Sequence, residues 1–447
     1  MTTRKGFKRL VRERMARTGE RYAAARRALL IAGGDADPAT GSSAVPTRPD
    51  GGRLHPNSAS IATVLASRGV VSPISGAPLS EALIHGIGGG AGAGYILWEF
   101  RSHGAEAPIL TLGFTNQWQY PSAWFGKTLD RLGVPVTVHE TSGAKGARAT
   151  LDGLLEAGEP AIAFVDQEAI GTWALPAEHP GYSGYPVVVT GRTPDGSYLV
   201  DDRSGEPLVV TEAAMAVARA RIGSFKHRLL NVQPDGPLAA DRLRTAIEAG
   251  LVDQVAHLST RSDSFGLPAW RKWSRMMTDA KHPKGWPQVF ADGAGLFDAL
   301  LSIAEGVDGG IGATGGHLRE LQAEFLDEAA SILDRPALGE AADAWRAAGD
   351  LWEDLADSAV PVDLDGAAAA IDADEALHDA AMAGEPGRAA AREAAAVVRA
   401  ARARYARSLP LPEDRIREVF RALGERLVAI HAAEVAAVDA TRRATVR

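Results

Sequence analysis

The chain of 447 residues contains no cysteine. That absence excludes disulfides, thiolate metal sites and any thiol nucleophile. Nor is there a run of about eighteen apolar residues, the length an ordinary membrane-spanning helix requires. The opening stretch, Met1 to Met15, is basic and lacks the apolar segment of a secretion signal, so the cytoplasm is the expected location. Positive charge is not in excess either. The 48 Lys and Arg against 56 Asp and Glu leave a net charge of −8, which argues against a chain-wide nucleic-acid surface. Gly143-Ala144-Lys145-Gly146 lacks the spacing of a phosphate-binding P-loop. The 11 histidines include no pair at helical i, i+4 spacing that would build a zinc site, and His139-Glu140 has no second His in the required place. No metal and no cofactor are therefore expected.

The residues that are present describe a globular chain. Apolar content of 46% and charged content of 23% are ordinary, and the length implies two or three units. Residues 1–32 form a basic helical arm, with Phe7, Leu10, Val11, Met15 and Tyr22 as a rough apolar stripe among ten Lys and Arg. It reads as a solvated helix; the alternative is docking to an acidic partner or nucleic acid. Residues 33–53 are a linker rich in Gly, Pro, Ser and Asp. The first globular unit, 54–234, opens with helices from Pro56 and over Leu79–His85, followed by helices at Trp124–Leu132 and Ala147–Ala157. Strands are expected at Ile109–Leu112, Val134–His139, Ala161–Val165, Pro186–Thr190, Ser197–Val200 and Leu208–Val210, with an antiparallel hairpin across Gly191–Gly196. That order is an α+β pattern. Residues 238–360 read as a helical unit. An Ala-rich helical hairpin, Asp363–Leu409 and Glu413–Arg443, fills 361–447 around Pro410 and Pro412.

Two local features carry possible chemistry. The Gly-rich stretch Gly86 to Gly94 follows a helix rather than a strand, so its glycines are expected to permit close packing and positive φ, not to cradle a dinucleotide. Ser58 and Ser60 lie in the first turns of the opening helix, and His55 is the nearest base in sequence. A serine nucleophile needs such a base; the other reading is that Ser58 caps the helix.

Three blocks of the first unit bear a family resemblance. They are Leu54 to Phe100 (LHPNSASIATVLASRGVVSPISGAPLSEALIHGIGGGAGAGYILWEF), Leu112 to Tyr120 (LGFTNQWQY), and Gly184 to Gly191 (GYPVVVTG) with Leu199 to Arg203 (LVDDR). They resemble the N-terminal domain of the butirosin-H type, a papain-like (cysteine-peptidase-like) acyl-transfer family. Further blocks, GLPAWRKW from Gly266, KGWP from Lys284, GGHLR from Gly315 and FLDEAA from Phe325, resemble the domain of unknown function DUF4872 that usually follows it. The resemblance implies a papain-like α+β domain followed by an all-α region. It also implies a Cys nucleophile, a His and an orienting acid. Pro56 stands where the Cys belongs, Tyr185 where the His belongs, and Asp201 or Asp202 where the acid belongs. Pro56, Asn57, Asn116 and Trp118 would face substrate. The family passes an acyl group from a carrier protein to an amine through a thioester, a route closed here without a thiol.

The leading expectation is a degenerate family member. It would keep the cleft for a small molecule, a carrier-linked acyl group or a protein partner, possibly in natural-product biosynthesis, without covalent catalysis. One rival is an active acyltransferase or amide hydrolase using Ser58 with His55, or noncovalent aminolysis by proximity, with Tyr185 as a weak base. Another is a scaffold or regulator docking through the basic arm.

Overall fold

The computed structural model describes residues 54–98, 107–171, 184–308, 315–361 and 363–445, together with residues 14 and 17. The basic arm and linker expected over 1–53 otherwise lie outside the described residues.

The chain enters through α1 (Pro56–Ser67), which has Pro at its first turn and His55 as N-cap. Helix α2 (Glu81–Ile87) follows, with the Ser80 hydroxyl accepting the Leu83 N–H. Strands β1 (Ala91–Trp98) and β2 (Ile109–Thr115) pair antiparallel as a separate ribbon. After α3 (Pro121–Leu132) come β3 (Val136–His139), α4 (Ala144–Glu156), β4 (Ala161–Val165) and the short α5 (Gln167–Ile170). Strands β5 (Tyr185–Arg192), β6 (Tyr198–Asp201) and β7 (Leu208–Val210), helix α6 (Glu212–Ala220) and β8 (Leu229–Val232) complete this part. The six strands form one sheet in the order β3-β8-β4-β5-β6-β7, antiparallel throughout. Within it, β5 carries the buried run Tyr185 to Val189. Pro186, which has no N–H to donate, lies opposite Phe164 of β4, ahead of the point where pairing with β6 begins at Val188↔Asp201.

The remainder is helical: α7 (Ala240–Leu258), α8 (Pro268–Thr278), α9 (Trp286–Val289), α10 (Leu296–Asp308), α11 (Gly315–Leu333), α12 (Ala337–Ala359), α13 (Ala367–Ala383), α14 (Arg388–Tyr405) and α15 (Glu413–Thr445). A mixed region with a sheet followed by helices is an α+β chain. One hydrophobic core runs through both parts, from Ile61 and Phe114 to Trp270, Trp352 and Leu427.

Its centre holds a polar knot. Arg319 of α11 and Glu434 of α15 are fully buried and pair at 2.7 Å. The Trp352 and Trp270 indoles donate to the same carboxylate, at 2.6 and 2.8 Å. Arg319 also donates to the carbonyls of Gly92 and Phe114, at 2.9 and 3.1 Å. The ribbon, three C-terminal helices and α11 thus share one ion pair whose groups are all hydrogen-bonded, the condition for tolerating buried charge.

Several expectations change. Strand β1 begins within the Gly-rich stretch Gly86 to Gly94, where no strand is expected. Its Gly94, like Gly113 of β2, has the Trp118 ring where a Cβ would sit, within 2.6 and 2.3 Å. Strand β8 (Leu229–Val232) lies outside the expected strands. Helix α2 begins at Glu81 rather than Leu79, since Ser80 is its cap. The expected helix Asp363–Leu409 is two helices, α13 and α14, broken at Gly384 with φ 80° and ψ −139°. A side chain there would strike the Glu206 carbonyl, 2.0 Å from the Cβ position.

Glu434→Ala leaves Arg319 buried without its counter-ion, and chemical denaturation should register a loss of about 3–5 kcal/mol. Combining Arg319→Met with Glu434→Leu removes both charges but leaves the two indole N–H groups and the two carbonyls unpaired, and should recover only part of it. A loss below about 1 kcal/mol for the single variant would be the signature of an exposed pair and would contradict the knot's role.

Candidate functional site

The start of α1 packs against α2 and against the β5–β6 end of the sheet. His55 is 2% exposed and Ser58 is fully buried. Four polar groups meet there. His55 Nδ1 lies 2.9 Å from Ser58 Oγ and accepts the Ser58 backbone N–H at 3.4 Å. Accepting at Nδ1 assigns the ring proton to Nε2. The Glu81 carboxylate accepts the backbone N–H of Leu54 at 3.0 Å and of His55 at 2.6 Å, and Ser58 Oγ lies 3.4 Å from the same oxygen. His85, one turn after Glu81 on α2, presents its ring edge to His55 with centroids 5.1 Å apart, and Trp124 does so at 5.2 Å.

Ser58 is therefore not the cap. His55 caps α1, and Ser58 sits one turn inside, its hydroxyl turned back to the cap ring and carbonyl. An imidazole at the N-cap satisfies the orphan amide that a Ser or Asp usually takes. Ser60 instead donates to the Pro56 carbonyl at 2.8 Å, an in-helix bond that leaves it away from the His55 ring.

Tyr185 opens β5, with its phenol oxygen accepting from Arg203 Nε at 3.0 Å. Arg203 is buried, holds a left-handed backbone at φ 61°, and also reaches the Leu54 carbonyl at 3.4 Å. That contact ties the β6 end to the start of α1. Asp201 accepts the Arg203 backbone N–H at 3.0 Å, and Asp202 is buried beside the Tyr185 phenol, where its charge opposes ionisation. His55, Ser58, Tyr185, Asp201 and Asp202 thus converge from two sides, joined through Arg203. Pro56 is buried at the first turn of α1, and Asn57 next to it is half-buried. Asn116 and Trp118 belong to the ribbon instead. Asn116 donates to the Gly89 carbonyl at 3.3 Å, and Trp118 covers Gly94, Gly113 and Phe265.

The electrostatics disfavour proton transfer. Burial, then the charges of His85 and Arg203, hold the His55 pKa well below 6.5. Burial raises the Tyr185 phenol well above 10, with Arg203 opposing and Asp202 adding to the rise. A phenol that keeps its proton is no general base near neutrality. Among the described residues no group of three His, Asp or Glu is placed to hold a metal ion.

Sequence reasoning missed Glu81, His85, Trp124 and Arg203 as members of this group. Glu81 and His85 stand four apart on a short helix, spacing that puts both on one face. A carboxylate and an imidazole sharing the buried face of an otherwise apolar segment was the available signal.

His85 has no hydrogen-bond partner at either ring nitrogen among the described residues. Burial first, and the Arg319 charge second, push its pKa from 6.5 down to about 3. The unfolded chain then binds the proton more readily than the folded one, so this contribution is complete above about pH 6.5 and is lost as pH falls toward 3. Denaturation of wild type and His85→Phe across pH 7 to about 4 should show a shallower acid loss in the variant. Parallel curves would contradict the buried neutral imidazole.

Comparison with known proteins fits this anatomy. Residues 55–203 match the family model described as butirosin biosynthesis protein H, N-terminal, from His55 to Arg203 of the group above. Residues 213–386 match the domain of unknown function DUF4872. The second match includes β8, which lies between β3 and β4, so the two matched regions share one sheet. No curated protein matches the chain. The chain therefore carries the butirosin biosynthesis protein H N-terminal domain followed by DUF4872, in that order.

Proposed function

We propose that this protein is a noncovalent member of a papain-like acyl-transfer family. On this reading it binds a carrier-linked acyl group or a related small molecule in a biosynthetic pathway and forms no acyl-enzyme. The observation that carries the reading is the pairing of Pro56 at the nucleophile position with Tyr185 at the histidine position. Proline offers no bond-forming heteroatom, and the Tyr185 phenol accepts from Arg203 at 3.0 Å while retaining its proton. The buried Arg203 and Glu81 hold the two sides of the former catalytic centre together, which suits a fixed binding wall better than a site that must shuttle protons.

One observation favours a second reading, in which Ser58 attacks an acyl donor with His55 as base: their 2.9 Å separation is that of a nucleophile and its base. Against it stand the full burial of Ser58, the weakened basicity of His55, and the backbone N–H that shares the same ring nitrogen.

The two readings part in one experiment. Wild type, Ser58→Ala and the double variant Pro56→Cys with Tyr185→His are incubated with acyl-pantetheine thioesters and an amine. Wild type and Ser58→Ala should bind the thioester alike and show no difference in amide formation, whereas the double variant should gain thioester consumption. Turnover by wild type that falls a hundredfold or more, on the order expected for loss of a nucleophile, in Ser58→Ala would overturn the proposal.

A further inference from the structure

A second polar site lies on the sheet's other helices, away from His55. Two adjoining cavities, of about 260 and 230 Å³, are both lined by Ala147, Arg219 and His227. The first is walled by the opening turn of α4, including Lys145, and by α6. The second is walled by the end of β3 and by Thr141. Arg219 is 4% exposed and spends two donors on backbone carbonyls, those of Ala147 at 3.0 Å and His227 at 2.8 Å. Its Nε–H has no hydrogen-bond partner among the described residues, and Asp152 acts on it only through its field. A guanidinium has five N–H donors, so this buried cation keeps donors to spare.

The surroundings fit a negatively charged guest. Helix α4 begins at Gly143 without a side-chain cap, so the amides of its first turn remain available at its positive end. Lys145 stands exposed in that turn. The carboxylates at the rim are already matched: Glu140 pairs with Arg228 at 2.7 Å, and Glu212 pairs with Arg148 and Arg192. Burial pushes the Arg219 pKa down to about 10, with Tyr198 and Asp152 opposing, and burial and then the Arg219 charge lower that of His227. The Arg219 charge thus reaches His227 across the cavity wall the two residues share.

We propose that this crevice binds a phosphate group, with Arg219 as its buried anchor and Lys145, His227 and the α4 amides completing the oxygen cradle. Several donors converging from a helix end, an ammonium and a guanidinium suit a tetrahedral dianion better than a planar carboxylate. The volume of either cavity leaves room for an organic substituent on the phosphate.

The test is calorimetric titration of the whole protein with inorganic phosphate, phenyl phosphate and acetate. Phosphate should bind saturably and acetate should not. Tighter binding of phenyl phosphate assigns the site to phosphate esters, and equal binding assigns it to the free ion. Lys145→Ala, an exposed change that leaves the fold alone, should weaken phosphate about fivefold or more, and Arg219→Gln should weaken it further. Absence of saturable phosphate binding, equal binding of acetate, or affinity unchanged in Lys145→Ala would overturn the proposal. No acyl donor enters the experiment, so its outcome is independent of the chemistry proposed at His55.

Discussion

The Arg319–Glu434 pair is the constraint on which the rest of the molecule hangs. A charge pair with no exposure is stable only when every donor and acceptor is answered. Here the answers come from distant parts of the chain: indoles on α8 and α12, and carbonyls of β1 and β2. The Arg319 guanidinium also lies 5.2 Å from the Phe114 ring centroid and 5.6 Å from that of Trp352. Such a knot fixes the ribbon against the helices, because sliding either one unpairs a buried charge. Glu434 lies beyond both matched regions, so α15 is part of what holds this fold together rather than an appendage.

Helix α11 carries that rigidity to the candidate site. Besides Arg319 it supplies Gln322, which accepts the Ala91 N–H at 3.0 Å, and Glu328, which accepts from the Ser80 cap of α2 at 2.6 Å. Helix α2 in turn holds Glu81 and His85 against the start of α1. The C-terminal region thus sets the position of the groups around His55 by packing α11 on α2, with Phe325 against Gly86, and through the field of Arg319 on His85. A site fixed this way is pre-organised. His55, Ser58, Glu81, Tyr185 and Arg203 are occupied with one another and with backbone, and His85 is held by burial alone.

Much of this was legible in the sequence, and the exceptions have physical causes. Pro56, the Val-rich β5 and the Asp-containing β6 announced themselves by local chemistry, and the order of helices and strands gave the α+β class. The Gly-rich β1 did not, because glycine has low strand propensity and its reason for being there is Trp118, more than twenty residues downstream. Gly384 was hidden in an Ala-rich run, since its requirement comes from the distant Glu206 carbonyl. Ser58 looked like a cap because serine usually is one; an imidazole in that role is seldom anticipated. Arg203 and Glu81 gained meaning only when folding brought residues from opposite ends of the domain to Leu54.

On the proposed reading, the residues around His55 bind and hold an acyl group but do not take it up. Intact-protein mass spectrometry after brief exposure to an acyl-pantetheine thioester, quenched in acid, reads this directly. The protein mass should stay unchanged. An acyl adduct that maps by peptide fragmentation to Ser58 would contradict that reading.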